Sequence, residues 1–268
     1  MWINELFHGC KPVIGMVHLE ALPGTVLYDS GEGLEGVIRK ARLDYDSLTE
    51  GGIDGVIFCN ENDKPYCKKA GCEIVASMTA IISAVTQGRR KVPFGVDVQW
   101  DVCASLAVGL ASGAGFVRGI ACGTFCGDLG IFCADTEAIV KYRKAIGAQH
   151  IRILTNLMPE FSCTMDNRPV SLVAQTVRKS TLLDGICVSG VMAGEAAPYH
   201  QLIDIKEAVD DFPVVANTGV SFDTVGSILK IADACVVATC LKTDGKSGGR
   251  IDKTRVQRLM EKRKSEAL

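Results

Sequence analysis

The chain has 268 residues, 47% of them hydrophobic, and a mean hydropathy of +0.20, enough to bury one good core without requiring a second domain. Its 29 lysines and arginines nearly balance 31 aspartates and glutamates, and the net charge of -2 provides no electrostatic footprint for nucleic acid or anionic lipid. Small-molecule partners are favoured. The N-terminal stretch Met1 to Cys10 has neither a basic start nor a long apolar segment, and the longest apolar stretch, Val75 to Val85, is interrupted by Ser77, Thr79 and Ser83. A soluble, cytoplasmic protein without a membrane span is expected.

Short apolar runs follow at Val13–Val17, Gly55–Phe58, Phe94–Val98, Phe116–Gly119, Ile151–Leu154, Ile186–Val188, Val214–Ala216 and Cys235–Ala238. Between them lie segments of helical period, such as Leu34, Val37, Ile38, Ala41, Tyr45 and Leu48, then Ile74, Val75, Met78, Ile81, Ile82 and Val85. Near-continuous apolar strands alternating with helices mean a parallel sheet covered by helices, and eight such units predict a single (β/α)8 TIM barrel, of the ribulose-phosphate-binding kind, over residues 1–268. The punctuation agrees: Gly52, Gly113 and Gly147 end helical segments, Pro169 and Pro198 open others, and Asp135 can cap the helix carrying Ala138, Ile139 and Tyr142. The lysine-rich end, Glu261 to Leu268, reads as a fraying final helix. The 12 cysteines are scattered rather than framed for disulfides. Cys122, Cys126 and Cys133, in a glycine-rich stretch after the fourth strand, lack a CxxC zinc spacing, as do Cys67 and Cys72. Reduced thiols in core and loop positions are the simpler reading.

In such a barrel the carboxyl ends of the strands share one mouth, so distant positions become one constellation. Here that ring reads His18; Asn60 and Glu61; Asp97, Gln99 and Asp101; Arg118; Thr155 and Asn156; Ser189; Asn217; Thr239. Polar groups directly after buried strands cost desolvation unless paired, so their accumulation at one end points to function. The first half is acidic with one imidazole and one guanidinium; the second is small, neutral and glycine-rich. Ser189, Gly190, Asn217, Thr218, Gly219 and Thr239, with Lys242, are candidates for holding a phosphate through backbone and hydroxyl donors. The competing reading is ordinary tight turns. Glu61, His18, Asp97 and Arg118 are the candidate catalytic residues, with a structural ion-pair network centred on Arg118 as the alternative. Glu61 is the stronger choice for acid–base work, His18 could serve as base or donor, and Asp101 suits a helix cap. A magnesium ion on Glu61 and Asp97 is chemically reasonable, although nothing in the spacing demands it.

Absences narrow the chemistry further. No lysine lies in any of the eight runs, which disfavours a Schiff-base aldolase, and no HxH on the first strand suggests a binuclear metal site. The stretch Asp244 to Gly249 contains Gly-Lys-Ser, but Cys240 stands where a P-loop needs its first glycine.

The stretches Val13 to Gly24, Glu50 to Glu61, Pro93 to Asp101 and Val215 to Gly219 together resemble the BtpA/SgcQ family, most specifically in His-Leu-x-x-Leu-Pro-Gly after the first strand and Ala-Asn-Thr-Gly after the seventh. The resemblance runs nearly end to end and implies a phosphate-binding TIM barrel. His18, Glu61, Arg118, Asn217 and Thr239 match the family pattern, whereas Asp97 stands where the family usually has asparagine. The family's names come from a factor for photosystem I accumulation and from a protein encoded beside sugar-uptake genes. The expected function is therefore an enzyme acting on a phosphorylated small molecule, a sugar phosphate above all, of isomerase, epimerase or lyase type. The alternative is a non-catalytic photosystem I biogenesis or regulatory factor. Homo-oligomers are common among such barrels, but no feature here identifies an interface.

Overall fold

The structure, a computed structural model, describes residues 1–89, 92–190, 197–246 and 248–266. Ser247 of the Gly-Lys-Ser stretch and Ala267–Leu268 of the lysine-rich end lie outside the described residues. In chain order the strands are β1 (Val13–His18), β2 (Gly55–Cys59), β3 (Phe94–Asp97), β4 (Phe116–Gly119), β5 (Thr124–Gly127), β6 (Gly130–Cys133), β7 (Arg152–Asn156), β8 (Ser162–Thr164), β9 (Gly185–Val188), β10 (Val214–Ala216) and β11 (Ala234–Val237). The helices are α1 (Trp2–Leu6), α2 (Gly33–Gly51), α3 (Cys72–Thr86), α4 (Val102–Ser112), α5 (Thr136–Ala145), α6 (Val170–Ser180), α7 (Tyr199–Val209), α8 (Val225–Ile231) and α9 (Lys253–Glu266).

β1, β2, β3, β4, β7, β9, β10 and β11 pair in parallel, in that order, and β11 closes onto β1 with Val13 opposite Cys235. This is the TIM barrel that the eight apolar runs predict. The local signals work as expected. The Asp101 carboxylate accepts from the Ala104 N–H at 2.9 Å to cap α4, Asp135 does the same for Ala138 on α5, and Gly52 and Gly113 end α2 and α4 in the left-handed conformation.

Because side chains alternate across a strand, the barrel buries two separate apolar layers. Val13, Val17, Val56, Phe58, Val96, Val117, Ile153 and Val214 face outward and pack with the helices. Ile14, Met16, Ile57, Phe116, Leu154, Cys187, Val215 and Val236 fill the interior. The bottom of that interior is sealed by α1, which brings Trp2, Ile3 and Phe7 against Phe116, with ring centroids 6.1 Å (Trp2) and 6.3 Å (Phe7) from the Phe116 ring. Glycine opens the space for this plug: a Cβ on Gly55 would meet the Phe7 ring at 2.6 Å and one on Gly95 the Phe116 ring at 2.4 Å. No period marks the five-residue α1 in the sequence, because only packing against the barrel holds it.

The other departure is at the mouth. The glycine-rich stretch around Cys122, Cys126 and Cys133, read as a loop, folds into the β5–β6 hairpin, and β8 joins it to form an antiparallel sheet of order β6-β5-β8. Strands of three or four residues flanked by Gly123, Gly127 and Gly130 are too short to show their alternation. Among the described residues no helix is long and apolar enough to cross a membrane.

Candidate active site at the barrel mouth

The interior alternation continues past the last buried layer and builds the site. His18 lies two residues beyond Met16, Glu61 beyond Cys59, Asp97 beyond Gly95, Arg118 beyond Phe116, Asn156 beyond Leu154, Ser189 beyond Cys187 and Asn217 beyond Val215. Each keeps the inward parity of its strand, and all but Ser189, which is buried behind Asn217, border the mouth. Two off-parity members of the predicted ring do something else. Asn60 is buried and ties the backbone, accepting from the Gln99 N–H at 2.8 Å and donating to Asp63 at 2.7 Å, and Thr155 accepts from the Ala121 N–H.

Arg118 is the hub. Its Nε donates to Asp97 Oδ2 at 2.9 Å, its Nη2 donates to the same oxygen, and its Nη1 donates to Asn217 Oδ1, while Asn217 Nδ2 donates to Ser189 Oγ at 2.9 Å. Burial works against the Arg118 charge, but the Asp97 carboxylate outweighs it and holds the guanidinium's pKa above its usual value. A fixed cation therefore sits at the centre of the mouth, and Asp97, 2% exposed, serves it.

His18 is set by Lys242. Lys242 Nζ lies 3.3 Å from His18 Nδ1, and an ammonium can only donate, so Nδ1 accepts and the ring proton sits on Nε2. Burial, with the Lys242, Arg118 and Lys64 charges, pushes the His18 pKa well below the usual value. The imidazole is neutral near pH 7, a hydrogen-bond donor rather than a base. The Glu61 carboxylate accepts from Tyr66 Oη at 3.3 Å, Gln99 Nε2 at 3.1 Å and the Cys59 thiol at 3.9 Å. A second carboxylate, Glu160, faces the same space from the segment after β7, and burial raises its pKa despite the opposing Arg118 charge. The negative charges of Glu61 and Asp97 push it further up, and a hydrogen bond with Thr218 pulls it back.

Two adjoining cavities open between these groups. One, of about 310 Å³, runs from His18 across Thr218, Gly219, Val220 and Ser221 to Thr239, Cys240 and Arg255. The other, of about 270 Å³, extends under the β5–β6 turn and is walled by Tyr66, Trp100, Ile120, Leu129, Asn156 and Phe161. Glu61, Gln99, Arg118, Glu160 and Asn217 border both. Of the predicted phosphate residues, Asn217, Thr218, Gly219 and Thr239 line the larger cavity, and Gly219 makes its turn at φ 68°. Ser189, Gly190 and Lys242 stand behind its wall: Ser189 and Lys242 are buried, and the Gly190 N–H donates to Thr218 Oγ1 at 2.9 Å. Sequence reasoning missed Glu160 and Arg255, which reach the mouth from a loop and from the first turn of α9.

The sequence matches the BtpA family over residues 9–265. The chain belongs to the BtpA family. It is 38% identical to the sgc region protein SgcQ of Escherichia coli over 97% of both chains, and 28% identical to the photosystem I biogenesis protein BtpA of Synechocystis over 97% of this chain and 91% of that one. Among solved structures it superposes on thiamine phosphate pyrophosphorylase from Pyrococcus furiosus with a TM-score of 0.58 and 17% identity over 99% of both chains, which shows a shared fold.

The donor set of this BtpA-family mouth bears on the magnesium alternative. Arg118 donates twice to Asp97 Oδ2, so a cation there would face the guanidinium charge, and among the described residues no three His, Cys, Asp or Glu side chains come together to hold a metal. Asp97 does not fit a metal ligand in this arrangement. The interior thiols fit a nucleophile no better: burial drives the pKa of Cys59 well above the usual value and that of Cys187 to about 12.

Proposed function

We propose that this protein is an enzyme that rearranges or cleaves a phosphorylated small molecule, a sugar phosphate, by proton transfer, as an isomerase, epimerase or lyase. The observation that carries this reading is the convergence of Glu61, Glu160, neutral His18 and charged Arg118 on a cavity whose far wall is Thr218–Ser221 and Thr239. The phosphoryl group lies against that wall, where hydroxyls, backbone around Gly219 and the Arg255 guanidinium supply donors and charge. Glu61 abstracts the proton, and Glu160, whose burial favours the protonated form, returns it. His18, donating from Nε2, and Arg118 stabilise the oxyanion that forms when a proton leaves the carbon beside a carbonyl.

The first experiment is thermal denaturation with sugar phosphates, their unphosphorylated parents and inorganic phosphate, each with and without magnesium, because a ligand of the native state raises the midpoint. A shift that requires the phosphoryl group supports the enzyme and names the substrate class to assay. No shift across the panel moves the reading to a regulatory or assembly role, which the name of the Synechocystis relative favours.

A further inference from the structure

The smaller cavity is larger than the chemistry above requires. Beyond the groups it shares with the phosphate side, apolar side chains led by Trp100 and Phe161 stand among the polar groups of Lys64, Tyr66, Asp128 and Asn156. Trp100 is held there at a cost. Its backbone sits at φ 69°, unfavourable for a bulky residue, while its ring meets Phe132 of β6 edge-on with centroids 5.1 Å apart. Inside the same lobe, Asn156 Oδ1 is buried without a hydrogen-bond partner among the described residues, whereas Asp97, Arg118 and Asn217 are all bonded. An unpaired buried acceptor carries a desolvation cost that a ligand donor would recover.

We propose that the ligand is a phosphate monoester that carries a planar ring: the phosphoryl group sits against Thr218–Ser221, and the ring fills the Trp100 lobe with an N–H or O–H donor on Asn156 Oδ1. This rests on the phosphate site proposed above and names what lies at the other end of the substrate. A sugar in this lobe would turn part of its surface to Ile120, Leu129 and Pro159, where its hydroxyls lose water without gaining a partner. A flat ring presents apolar faces to the indole and phenyl walls and gives a donor on its edge to Asn156 Oδ1. The atoms joining ring to phosphate then lie at the shared wall, between Glu61, Arg118 and Glu160, where the proton chemistry is placed.

Titration calorimetry on the full chain tests this with adenosine 5′-monophosphate, uridine 5′-monophosphate and phenyl phosphate, against ribose 5-phosphate, adenosine and inorganic phosphate. At least one ring-bearing phosphate should bind at least tenfold more tightly than both ribose 5-phosphate and its own unphosphorylated parent. Trp100→Ala should cut that affinity tenfold or more and change the affinity for ribose 5-phosphate less than twofold. Phe161→Ala, at an exposed position that tolerates truncation, should act in the same direction. Ribose 5-phosphate binding as tightly as every ring-bearing phosphate overturns the inference and leaves the sugar-phosphate reading standing. Ring compounds binding equally with and without the phosphoryl group overturn the phosphate site, and the bipartite ligand with it. Binding by none of the probes overturns both.

Discussion

At the bottom of the barrel the inward positions hold Ile14, Ile57, Phe116 and Leu154 under the α1 plug, whereas two to four residues further along the same strands they hold His18, Glu61, Arg118 and Asn156. One alternation thus produces a dry, close-packed end and a charged, partly open one. The bottom gains stability from burial alone. The mouth spends some of it, since Asp97 and Arg118 are taken out of water and face each other as a buried ion pair. Variants at the two ends should therefore fail in different ways: bottom variants in stability with ligand response intact in whatever folds, and mouth variants in chemistry.

The largest effect is expected where the mouth carries structural strain as well. Arg118→Met leaves the Asp97 carboxylate buried without its partner and strips Asn217 Oδ1 of its donor, and should lower unfolding free energy by about 3–5 kcal/mol. Denaturant titration at neutral pH measures it, and a loss under about 1 kcal/mol would mean that the buried pair contributes little to stability. At the bottom, Phe7→Ala removes the ring that meets Phe116 and empties the space that Gly55 leaves for it, for about 3 kcal/mol, the low end of the range for such truncations because a short helix can settle inward. Phosphate-ligand affinity, read by calorimetry on the folded variant, should stay within about twofold of the wild type; a larger loss would show that the two ends are coupled.

Much of this contrast is legible in the sequence, and its limits have physical causes. Apolar runs in strand–helix alternation suffice for the barrel, because buried parallel strands must be apolar on both faces. Inward parity past the last apolar residue then brings His18, Glu61, Asp97, Arg118 and Asn217 to the mouth. Parity fails once the strand ends. Glu160, four residues beyond β7, and Arg255, on the last helix, are positioned by the path of the chain and carry no local signal. Ser189 and Lys242 follow strands as phosphate ligands would, yet fold behind the wall to hold Asn217 and His18. The lid strands β5, β6 and β8 hide among glycines, so the Trp100–Phe132 contact that shapes the second lobe could not be foreseen.

A sharper version of the contrast is a mouth variant that costs activity and little stability. Glu61→Gln keeps the hydrogen-bonding shape beside Tyr66 and Gln99 and removes the proposed base. Turnover should fall at least about 100-fold, equivalent to about 2.7 kcal/mol of transition-state stabilisation, while the melting temperature moves by no more than a few degrees. Loss of phosphate-ligand binding in this variant, with no turnover in the wild type to lose, would favour the regulatory reading.

The smallest effect is also the most specific, because it reads one carboxyl through pH. Burial favours protonated Glu160, Arg118 opposes this, and the Glu61 and Asp97 charges reinforce it, so the folded carboxyl keeps its proton to higher pH than the unfolded one, whose ordinary value is 4.5. Between those two values the folded state binds more protons than the unfolded state, and the linkage slope is negative: the contribution is fully present below the unfolded value and is lost as pH rises through the folded one. Glu160→Gln has nothing to titrate, so its melting temperature from about pH 4 to pH 8 should fall less steeply than that of the wild type. Only the difference between the two curves belongs to Glu160, since other buried carboxyls such as Asp44 and Asp63 are also raised and remain in both proteins. If the curves run parallel, Glu160 titrates in the folded protein as it does in the unfolded chain and is ionised at neutral pH, and the proton that Glu61 is proposed to remove must be returned by another group.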